Sequence, residues 1–207
     1  MLLFFKLINN SKIILKSWVI KIILKFIGLK IGKSFVCYSM PDLKINGKSK
    51  NIQIGDNVTF KGKIDLRNRE DGIIIINNNV TIEENVRIVS ARNGKVEIGN
   101  NTIITRGTIM NGGGNIFIGE DSIIGPYNVI NANDHKTDLN LKIIHREFIY
   151  GDIIVDKGCW TGAFVSIKKG VHIEENSVIG AHSFVTKNTE KNSINYGIPC
   201  KKARDRS

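Results

Sequence analysis

The sequence predicts an all-β solenoid, a fold in which short parallel strands wind into stacked coils, on three observations. An aliphatic or β-branched residue recurs every six positions along much of the chain. Asn, Asp or Gly residues follow these positions closely. The 207 residues include 37 Ile and 23 Asn but only 3 Pro, a composition rich in strand and turn formers. Neither a helix nor an amphipathic strand has a period of six.

The repeat is clearest in the last third of the chain. Six-residue blocks begin there at Val155, Thr161, Ile167, Ile173, Ile179 and Val185. Their fifth positions are small or Val, namely Cys159, Val165, Val171, Ser177 and Ser183. Seven earlier blocks follow the same pattern with breaks in phase: IGDNVT at 54, INNNVT at 76, IEENVR at 82, IGNNTI at 98, ITRGTI at 104, IGEDSI at 118 and IGPYNV at 124. We expect the first positions to stack into a dry core, with Asn, Asp and Gly adopting left-handed backbone at the corners.

The formal charge of +11 lies at the two ends of what we expect to be a single domain. Residues 1–33 carry seven Lys and no acidic residue, and residues 201–207 carry four basic residues against one Asp. The body between them is nearly neutral. Nucleic-acid binders carry basic patches and aromatic platforms on the folded body, so the sequence predicts no nucleic-acid partner.

An apolar, basic arm occupies residues 1–33. We expect a helix from about Leu3 to Ile27, because neither Gly nor Pro occurs before Gly28. Lys residues interrupt it too often for a membrane span or a signal peptide. Two interpretations stay open: an interfacial helix that rests Trp18 and its Lys residues on anionic lipid, or a helix that packs on the body or a neighbouring subunit. The three scattered cysteines favour a cytoplasmic protein. If the arm is an interfacial helix, the protein would lie at the inner face of the membrane.

The segment that runs from WTGAFVSIKKGVHIEENSVIGAHSFV to the closing GIPC resembles the hexapeptide-repeat acyltransferases. The similarity covers about 31–204 and is greatest to O-acetyltransferases of sugars and bacterial surface polysaccharides such as lipopolysaccharide. It implies a left-handed parallel β-helix at 34–194 with a long inserted loop at 131–154, after the helical arm at 1–33 and before a basic tail at 195–207. It also implies a homotrimer that transfers acetyl from acetyl-CoA to a hydroxyl of a sugar or polysaccharide acceptor.

The inserted loop carries the candidate catalytic residue. The repeat stops after Ile130 and resumes at Val155, and long loops inside compact folds are usually functional. The resemblance implies that His135 is the general base. An imidazole that titrates near about 6.5 can take the proton of an attacking alcohol, contributing about 10²- to 10⁴-fold. His145 is the alternative base. Three neighbours could orient the imidazole, bind sugar hydroxyls, or form turns stabilised by their own side-chain hydrogen bonds: Asn133, Asp134 and Asp138.

The resemblance places acetyl-CoA in a groove between neighbouring subunits. Trp160, Gly162 and Ala163 match the turn beside the thioester, where Trp160 also meets the acceptor and the Ala163 N–H stabilises the oxyanion. Gly180, Ala181 and Ser183 match a second turn, beside the pantetheine arm, although His182 replaces a small residue there. Four basic residues are expected to meet the cofactor's phosphates, unless the tail has no partner: Lys187, Lys201, Lys202 and Arg204.

Other chemistries are less well supported by the sequence. The runner-up function is N-acetylation of a nucleotide-linked amino sugar. A non-enzymatic role as a rigid binding scaffold is less well supported, because such a scaffold would need regular ladders of Thr and no insertion. We expect no metal, because His172 and His182 are too far apart for the close-spaced pair of a three-His zinc site. Cys159 occupies an interior position of its block, so we expect it to pack in the core rather than form an acyl-enzyme.

Overall fold

The structure, a computed structural model, describes residues 2–138 and 142–206. Residues 139–141 of the predicted inserted loop therefore lie outside the described residues. Helix α1 (Leu2–Phe26) precedes seven coils, each of which contributes one strand to each of three parallel sheets. This arrangement is the predicted parallel β-solenoid and is consistent with a left-handed β-helix.

The three sheets are named A, B and C in the order in which each coil visits them. Sheet A comprises β1 (Lys30–Ile31), β4 (Ile52–Ile54), β7 (Ile73–Ile76), β10 (Lys95–Ile98), β13 (Ile116–Ile118), β18 (Ile153–Val155) and β21 (His172–Ile173). Sheet B comprises β2 (Val36–Cys37), β5 (Thr59–Phe60), β8 (Thr81–Ile82), β11 (Ile103–Ile104), β14 (Ile123–Ile124), β19 (Trp160–Thr161), β22 (Val178–Ile179), β24 (Ser193–Gly197) and β25 (Cys200–Asp205). Sheet C comprises β3 (Asp42–Ile45), β6 (Asp65–Asn68), β9 (Arg87–Ser90), β12 (Ile109–Gly112), β15 (Val129–Asn131), β20 (Ser166–Lys168) and β23 (Phe184–Val185).

The core consists of the inward positions that the repeat predicts. All six first positions from Val155 to Val185 are buried, and so are the five fifth positions between them. In-register pairing stacks these residues, as in Ile124 on Thr161 and Thr161 on Ile179. Each coil is thus stabilised by burial against the next one.

The corners between sheets A and B use left-handed backbone, as predicted. Asn57, Asn79, Asn101 and Asp121 have φ between 56° and 59°. Each Asn side chain donates a hydrogen bond to the next residue of the column, at 3.0, 3.0 and 2.9 Å. Asn suits this position because its short polar side chain tolerates the left-handed conformation and bonds locally.

Helix α1 lies against the first coil of the solenoid. Ser17, Ile20 and Leu24 are buried, and the Ser17 hydroxyl accepts a hydrogen bond from the Cys37 N–H at 2.8 Å. One face of α1 therefore packs on the body of the protein, which is one of the two interpretations that the sequence left open. The opposite face stays apolar and open to solvent, including Trp18 and Phe26, which are 61% and 93% exposed.

The structure corrects three boundaries. The arm does not reach residue 33, because Lys30–Ile31 already pairs in sheet A. The insertion is 132–152 rather than 131–154, since Asn131 belongs to β15 and Ile153 begins β18. The C-terminal residues are not a free tail from 195 onward: β24 continues sheet B and β25 returns antiparallel beside it. The repeat alone does not show these limits, because short flanking strands carry no full block.

Candidate active site

The insertion is built around a two-stranded antiparallel hairpin that leaves the solenoid where a coil passes from sheet C to sheet A. Its strands are β16 (Asn133–His135) and β17 (Phe148–Tyr150), which pair Asn133 with Tyr150 and His135 with Phe148. The His135 ring lies on the Phe148 ring, with the ring centroids 4.1 Å apart. The candidate base is therefore positioned by a hairpin rather than by an irregular loop.

The predicted polar neighbours of His135 do not orient its ring. The Asp134 carboxylate accepts a hydrogen bond from the His135 backbone N–H at 3.0 Å, and the Asn133 carbonyl accepts one from the Asn131 amide. Asp138 is exposed. The His135 Nδ1 atom is buried and has no hydrogen-bond partner among the described residues. Packing on Phe148 is thus what holds the imidazole within one protomer.

The alternative base stands apart from this arrangement. His145 lies in a single 3₁₀ turn (Ile143–His145) and is exposed. The ion pair between Lys136 and Glu147, with a distance of 2.6 Å, joins the two arms of the hairpin beyond His135. It lowers the pKa of the Glu147 carboxyl and raises that of the Lys136 ammonium, chiefly through their hydrogen bond.

Beside the hairpin, a cleft of about 800 Å³ opens over the outer face of sheet C and its corner with sheet A. Asn133, Phe148 and Tyr150 form its hairpin side. Four arginines line it as well: Arg67, Arg69, Arg87 and Arg92. We refer to this space as the arginine cleft. Sequence reasoning missed it, because these arginines come from two successive coils and only Arg87 falls within one of the six-residue blocks.

The donor-side residues occupy a different corner. Trp160, half exposed, lies on the outer face of sheet B, and the turn after it carries Gly162 and Ala163. A Cβ atom on Gly162 would lie 2.6 Å from the Ala181 nitrogen, so close coil stacking alone requires glycine here. The Ala163 N–H has no acceptor within the described chain, so it is free to serve as the predicted oxyanion donor.

The second predicted turn stacks directly below the first. The Gly180 N–H donates to the Asn195 carbonyl and the Ser183 hydroxyl donates to the Gly180 carbonyl, both at 2.7 Å. Ala181 is exposed. His182 extends a column of exposed rings, since it stacks on Phe164 at 5.0 Å and Phe164 stacks on Tyr127 at 5.1 Å. The residue that departs from the family pattern therefore has a packing role on this corner.

The structure brings together three of the four predicted phosphate-binding residues. Lys187, Lys201 and Lys202 line one cavity of about 230 Å³ at the end of the solenoid, whereas Arg204 lies outside its lining. Lys202 also forms ion pairs with Glu190 and Asp205, each at 2.7 Å. Hydrogen bonds from the Lys202 ammonium to Asp205 and Glu190 raise its pKa to about 12.

Within one protomer, His135 and the donor-side turn lie apart. Strands β15 and β20 are parallel neighbours in sheet C. Residues 162–165 precede β20, whereas the insertion follows β15, so the two sit at opposite ends of strands that are about 10 Å long. The fold of one protomer therefore does not bring the two together.

The remaining predicted residues have structural roles. Cys159 is 1% exposed, and burial raises the pKa of its thiol to about 11. The His172 Nε2 lies 2.8 Å from the Asp156 carboxylate on sheet A. Among the described residues, no three His, Cys, Asp or Glu side chains group closely enough to bind a metal ion. No described helix combines the length and apolar character needed to cross a membrane.

Sequence comparison finds relatives of the same kind that the sequence predicts. Residues 152–187 match the family model "Bacterial transferase hexapeptide (six repeats)". A galactoside O-acetyltransferase of Lactococcus lactis is 34% identical over 86 residues, which are 42% of this chain and 41% of the relative. The chain thus spans less than half the length of this curated relative.

Structural comparison extends the likeness to the whole solenoid. The N-acyltransferase AntD of Bacillus cereus, crystallised as a point mutant with dTDP and coenzyme A, has a TM-score of 0.63 at 22% identity, covering 89% of this chain and 87% of its own. A hexapeptide-repeat acetyltransferase of Vibrio cholerae, complexed with acetyl-CoA, has a TM-score of 0.52 at 28% identity, covering 54% and 61%. The chain is therefore similar to the hexapeptide-repeat acyltransferases, as its sequence predicts.

Proposed function

We propose that this protein is an acetyl-CoA-dependent O-acetyltransferase that acts on a sugar hydroxyl, as in surface polysaccharide biosynthesis. The observation that carries the proposal is the His135 imidazole, held on a hairpin beside a large cleft in a hexapeptide-repeat solenoid. The named activity of the Lactococcus relative, O-acetylation of a galactoside, supports the same class of acceptor.

In this mechanism His135 moves one proton. Its imidazole accepts the proton of the acceptor hydroxyl as that oxygen attacks the thioester carbonyl. The Ala163 N–H stabilises the oxyanion that forms. When the carbon–sulfur bond breaks, the imidazolium returns the proton to the leaving thiolate. The protein supplies no nucleophile, in keeping with the buried, high-pKa thiol of Cys159.

The residues that would hold the acetyl donor extend along the B–C corner to the C-terminal hairpin. Trp160, Gly162 and Ala163 would contact the thioester, and Gly180, Ala181 and Ser183 the pantetheine arm. The small cavity fits the phosphates because Lys187 and Lys201 line it without forming an ion pair among the described residues. Lys202 would share its charge with Glu190 and Asp205, and Arg204 would reach the same group from outside the cavity.

The test is transfer from labelled acetyl-CoA to galactosides, with His135→Ala as the variant and His145→Ala as its matched control from the same insertion. We expect His135→Ala to lower kcat by about 10²- to 10⁴-fold and to leave acetyl-CoA binding unchanged in calorimetry. Near-normal turnover in His135→Ala would contradict the assignment of the base.

A second candidate, N-acetylation of a nucleotide-linked amino sugar, is favoured by the arginine cleft. A neutral amine attacks a thioester with less help from a base, so this reaction would depend less on His135. Amino and hydroxyl forms of the same sugar, offered side by side, separate the two functions. Transfer to the amine alone, with little effect of His135→Ala, would replace the leading proposal by this one.

We further propose that the active unit is a homotrimer in which sheet B is shared between copies. In-register pairing aligns three apolar side chains on its outer face, Ile103, Ile123 and Trp160, which are 37%, 43% and 52% exposed. Sedimentation equilibrium should give about 69 kDa, three times 23.1 kDa. Ile123→Lys should yield monomers that lack transfer activity. A monomeric wild type would contradict the shared site.

The exposed face of α1 supports contact with an anionic membrane surface. At 3.6 residues per turn, the apolar side chains opposite the buried face are flanked by Lys12 and Lys16 on one side and by Lys21 and Lys25 on the other. The apolar face itself comprises Leu15, Trp18, Val19, Ile22 and Phe26. Such a face with basic flanks suits an interfacial helix.

Flotation with phosphatidylserine vesicles, and with neutral phosphatidylcholine vesicles, tests this contact. We expect the full chain to float with the anionic vesicles only, and the double variant Trp18→Ser/Phe26→Ser to remain in the soluble fraction. Ile144→Ser is the matched control, since Ile144 is 79% exposed but lies in the insertion. Equal flotation of wild type and double variant would contradict the proposal.

A further inference from the structure

We propose that the acceptor is a phosphorylated sugar whose phosphate binds to Arg69 and Arg92 in the arginine cleft. This inference rests on the proposed acetyl transfer and adds the chemical class of the acceptor. Its basis is the juxtaposition, in one cleft, of two guanidinium groups that form no ion pair among the described residues with the hairpin that carries His135.

The four arginines of the cleft fall into two pairs with different roles. Arg67 donates three hydrogen bonds to the Asp65 carboxylate, at 2.8, 3.1 and 2.7 Å, and Arg87 donates to the same group at 2.8 Å. Asp65 thereby holds both of these side chains and offsets part of their charge. Arg69 and Arg92 form no ion pair within the described residues and are exposed. This second pair is available to a ligand.

Two similar turns at the C–A corner carry the available pair. In one, the buried Asn68 amide donates to the Gly72 carbonyl. In the other, the buried Ser90 hydroxyl donates to the Gly94 carbonyl at 2.8 Å. Because each turn is closed by a side chain from the core, the backbone at Arg69 and Arg92 is held in place. Arg92 itself adopts φ +57°, an uncommon conformation for a residue of this type.

Arg92 connects the anion-binding side of the cleft to the catalytic hairpin. Its guanidinium lies 4.2 Å from the centroid of the Tyr150 ring. Tyr150 packs over Gly113, where a Cβ atom would come within 2.5 Å of the ring. The Phe148 ring, which also lines the cleft, lies under His135. A sugar placed in the cleft beside these rings would lie next to the ring that holds the imidazole, while its phosphate meets the arginines.

The charge of the cleft matches a phosphate better than an uncharged sugar. Of its described acidic lining residues, Asp71 is paired with Lys48 at 2.9 Å, which leaves Glu70 to oppose Arg69 and Arg92. Guanidinium groups bind phosphate oxygens through charge-assisted, often bidentate hydrogen bonds. A neutral sugar would leave these donors to water. The class therefore includes sugar 1-phosphates and nucleoside diphosphate sugars, which the experiment distinguishes.

The experiment compares one sugar in three forms, uncharged, as the 1-phosphate and as the nucleoside diphosphate derivative, with Arg69→Gln and Arg92→Gln as variants. Arg106→Gln is the matched control, because Arg106 pairs with Glu84 away from the cleft. We expect KM for the phosphorylated forms to rise about 10- to 100-fold in the two variants, whereas their KM for acetyl-CoA should not change. The Arg106→Gln variant should keep the wild-type KM values for all substrates. The form with the lower wild-type KM identifies the acceptor subclass.

Calorimetric binding of inorganic pyrophosphate, which needs no turnover, separates this inference from the proposed function. Binding to wild type that weakens in Arg69→Gln and Arg92→Gln supports the anion site even if no sugar is acetylated. If His135-dependent transfer occurs but the uncharged sugar has the same kcat/KM as its phosphates, the inference is overturned and the proposed function stands. Pyrophosphate binding that is unaffected by both substitutions also overturns it.

Discussion

The imidazole of His135 and the ring of Phe148 face each other across the β16–β17 hairpin, with centroids 4.1 Å apart and planes inclined by 36°. No described polar side chain bonds to the His135 Nδ1. The aromatic ring thus takes the orienting role that carboxylates have in many His-based sites.

We predict that Phe148→Ala lowers kcat by about tenfold or more, because misplacement of a catalytic group is costly even when the group remains. Phe148→Tyr should keep most of the activity, since the ring is retained. Steady-state kinetics with thermal unfolding of each variant checks this. An unchanged kcat in a folded Phe148→Ala protein would show that the ring does not position His135.

We predict that the three cysteines react with iodoacetamide in the order of their exposure. Burial raises the pKa of the Cys37 and Cys159 thiols to about 11, and both side chains are inaccessible. Cys200 is only partly buried, so mass spectrometry of the native protein should find it alkylated first. All three should react once urea unfolds the chain. Early modification of Cys159 in the native protein would contradict its core position.

Asn79, in the middle of the corner column, allows backbone and side-chain effects to be separated. Both Asn79→Gly and Asn79→Ala remove its hydrogen bonds to Asn57 and Asn101. Alanine keeps a Cβ in left-handed backbone without the local hydrogen bonds that let Asn tolerate it, at a cost of about 1 kcal/mol, whereas glycine has no Cβ and avoids that cost. We therefore expect urea unfolding to rank wild type, then Asn79→Gly, then Asn79→Ala. An alanine variant as stable as the glycine variant would contradict this account.

Asp65 gives the solenoid an acid-sensitive contact. Hydrogen bonds from Arg67, and then from Arg87, lower the pKa of its carboxyl below the ordinary value. A carboxyl with a lowered folded-state pKa adds stability above its unfolded pKa of about 3.9 and loses it as the pH falls through the folded value. The free energy of unfolding should thus be higher for wild type than for Asp65→Asn at pH 7, and this difference should shrink below about pH 4. A margin that is constant down to pH 3 would contradict the ion-pair role.

The sequence predicts the solenoid well because its inward positions depend on one short-range rule. Thr161, Ile167 and Ile173 follow each other at six residues, and each is buried as that rule requires. The hairpin at His135 is not predictable in this way, since three-residue strands show no usable alternation. The arginine cleft is still less predictable from the sequence. Arg69 and Arg92 are one coil apart, and because the repeat changes phase between them, their spacing does not show that they lie at the same corner.

The same limit applies to the donor side. The Trp160–Ala163 turn matches a known pattern, but the glycines of this corner are already required by close coil stacking. Because the fold itself requires these glycines, their presence is weak evidence for a bound ligand. His182 shows the converse, because its departure from the pattern is explained by its stacking on Phe164.

Strand β25 determines what the far end of the solenoid presents to other molecules. It is the outermost strand of sheet B and carries Lys201, Lys202 and Arg204 along an otherwise unpaired backbone edge. Cationic residues on an open edge repel an identical edge and so discourage head-on fusion of two molecules into a growing fibril. With α1 covering the first coil at the other end, the stack of seven coils is kept to a finite length.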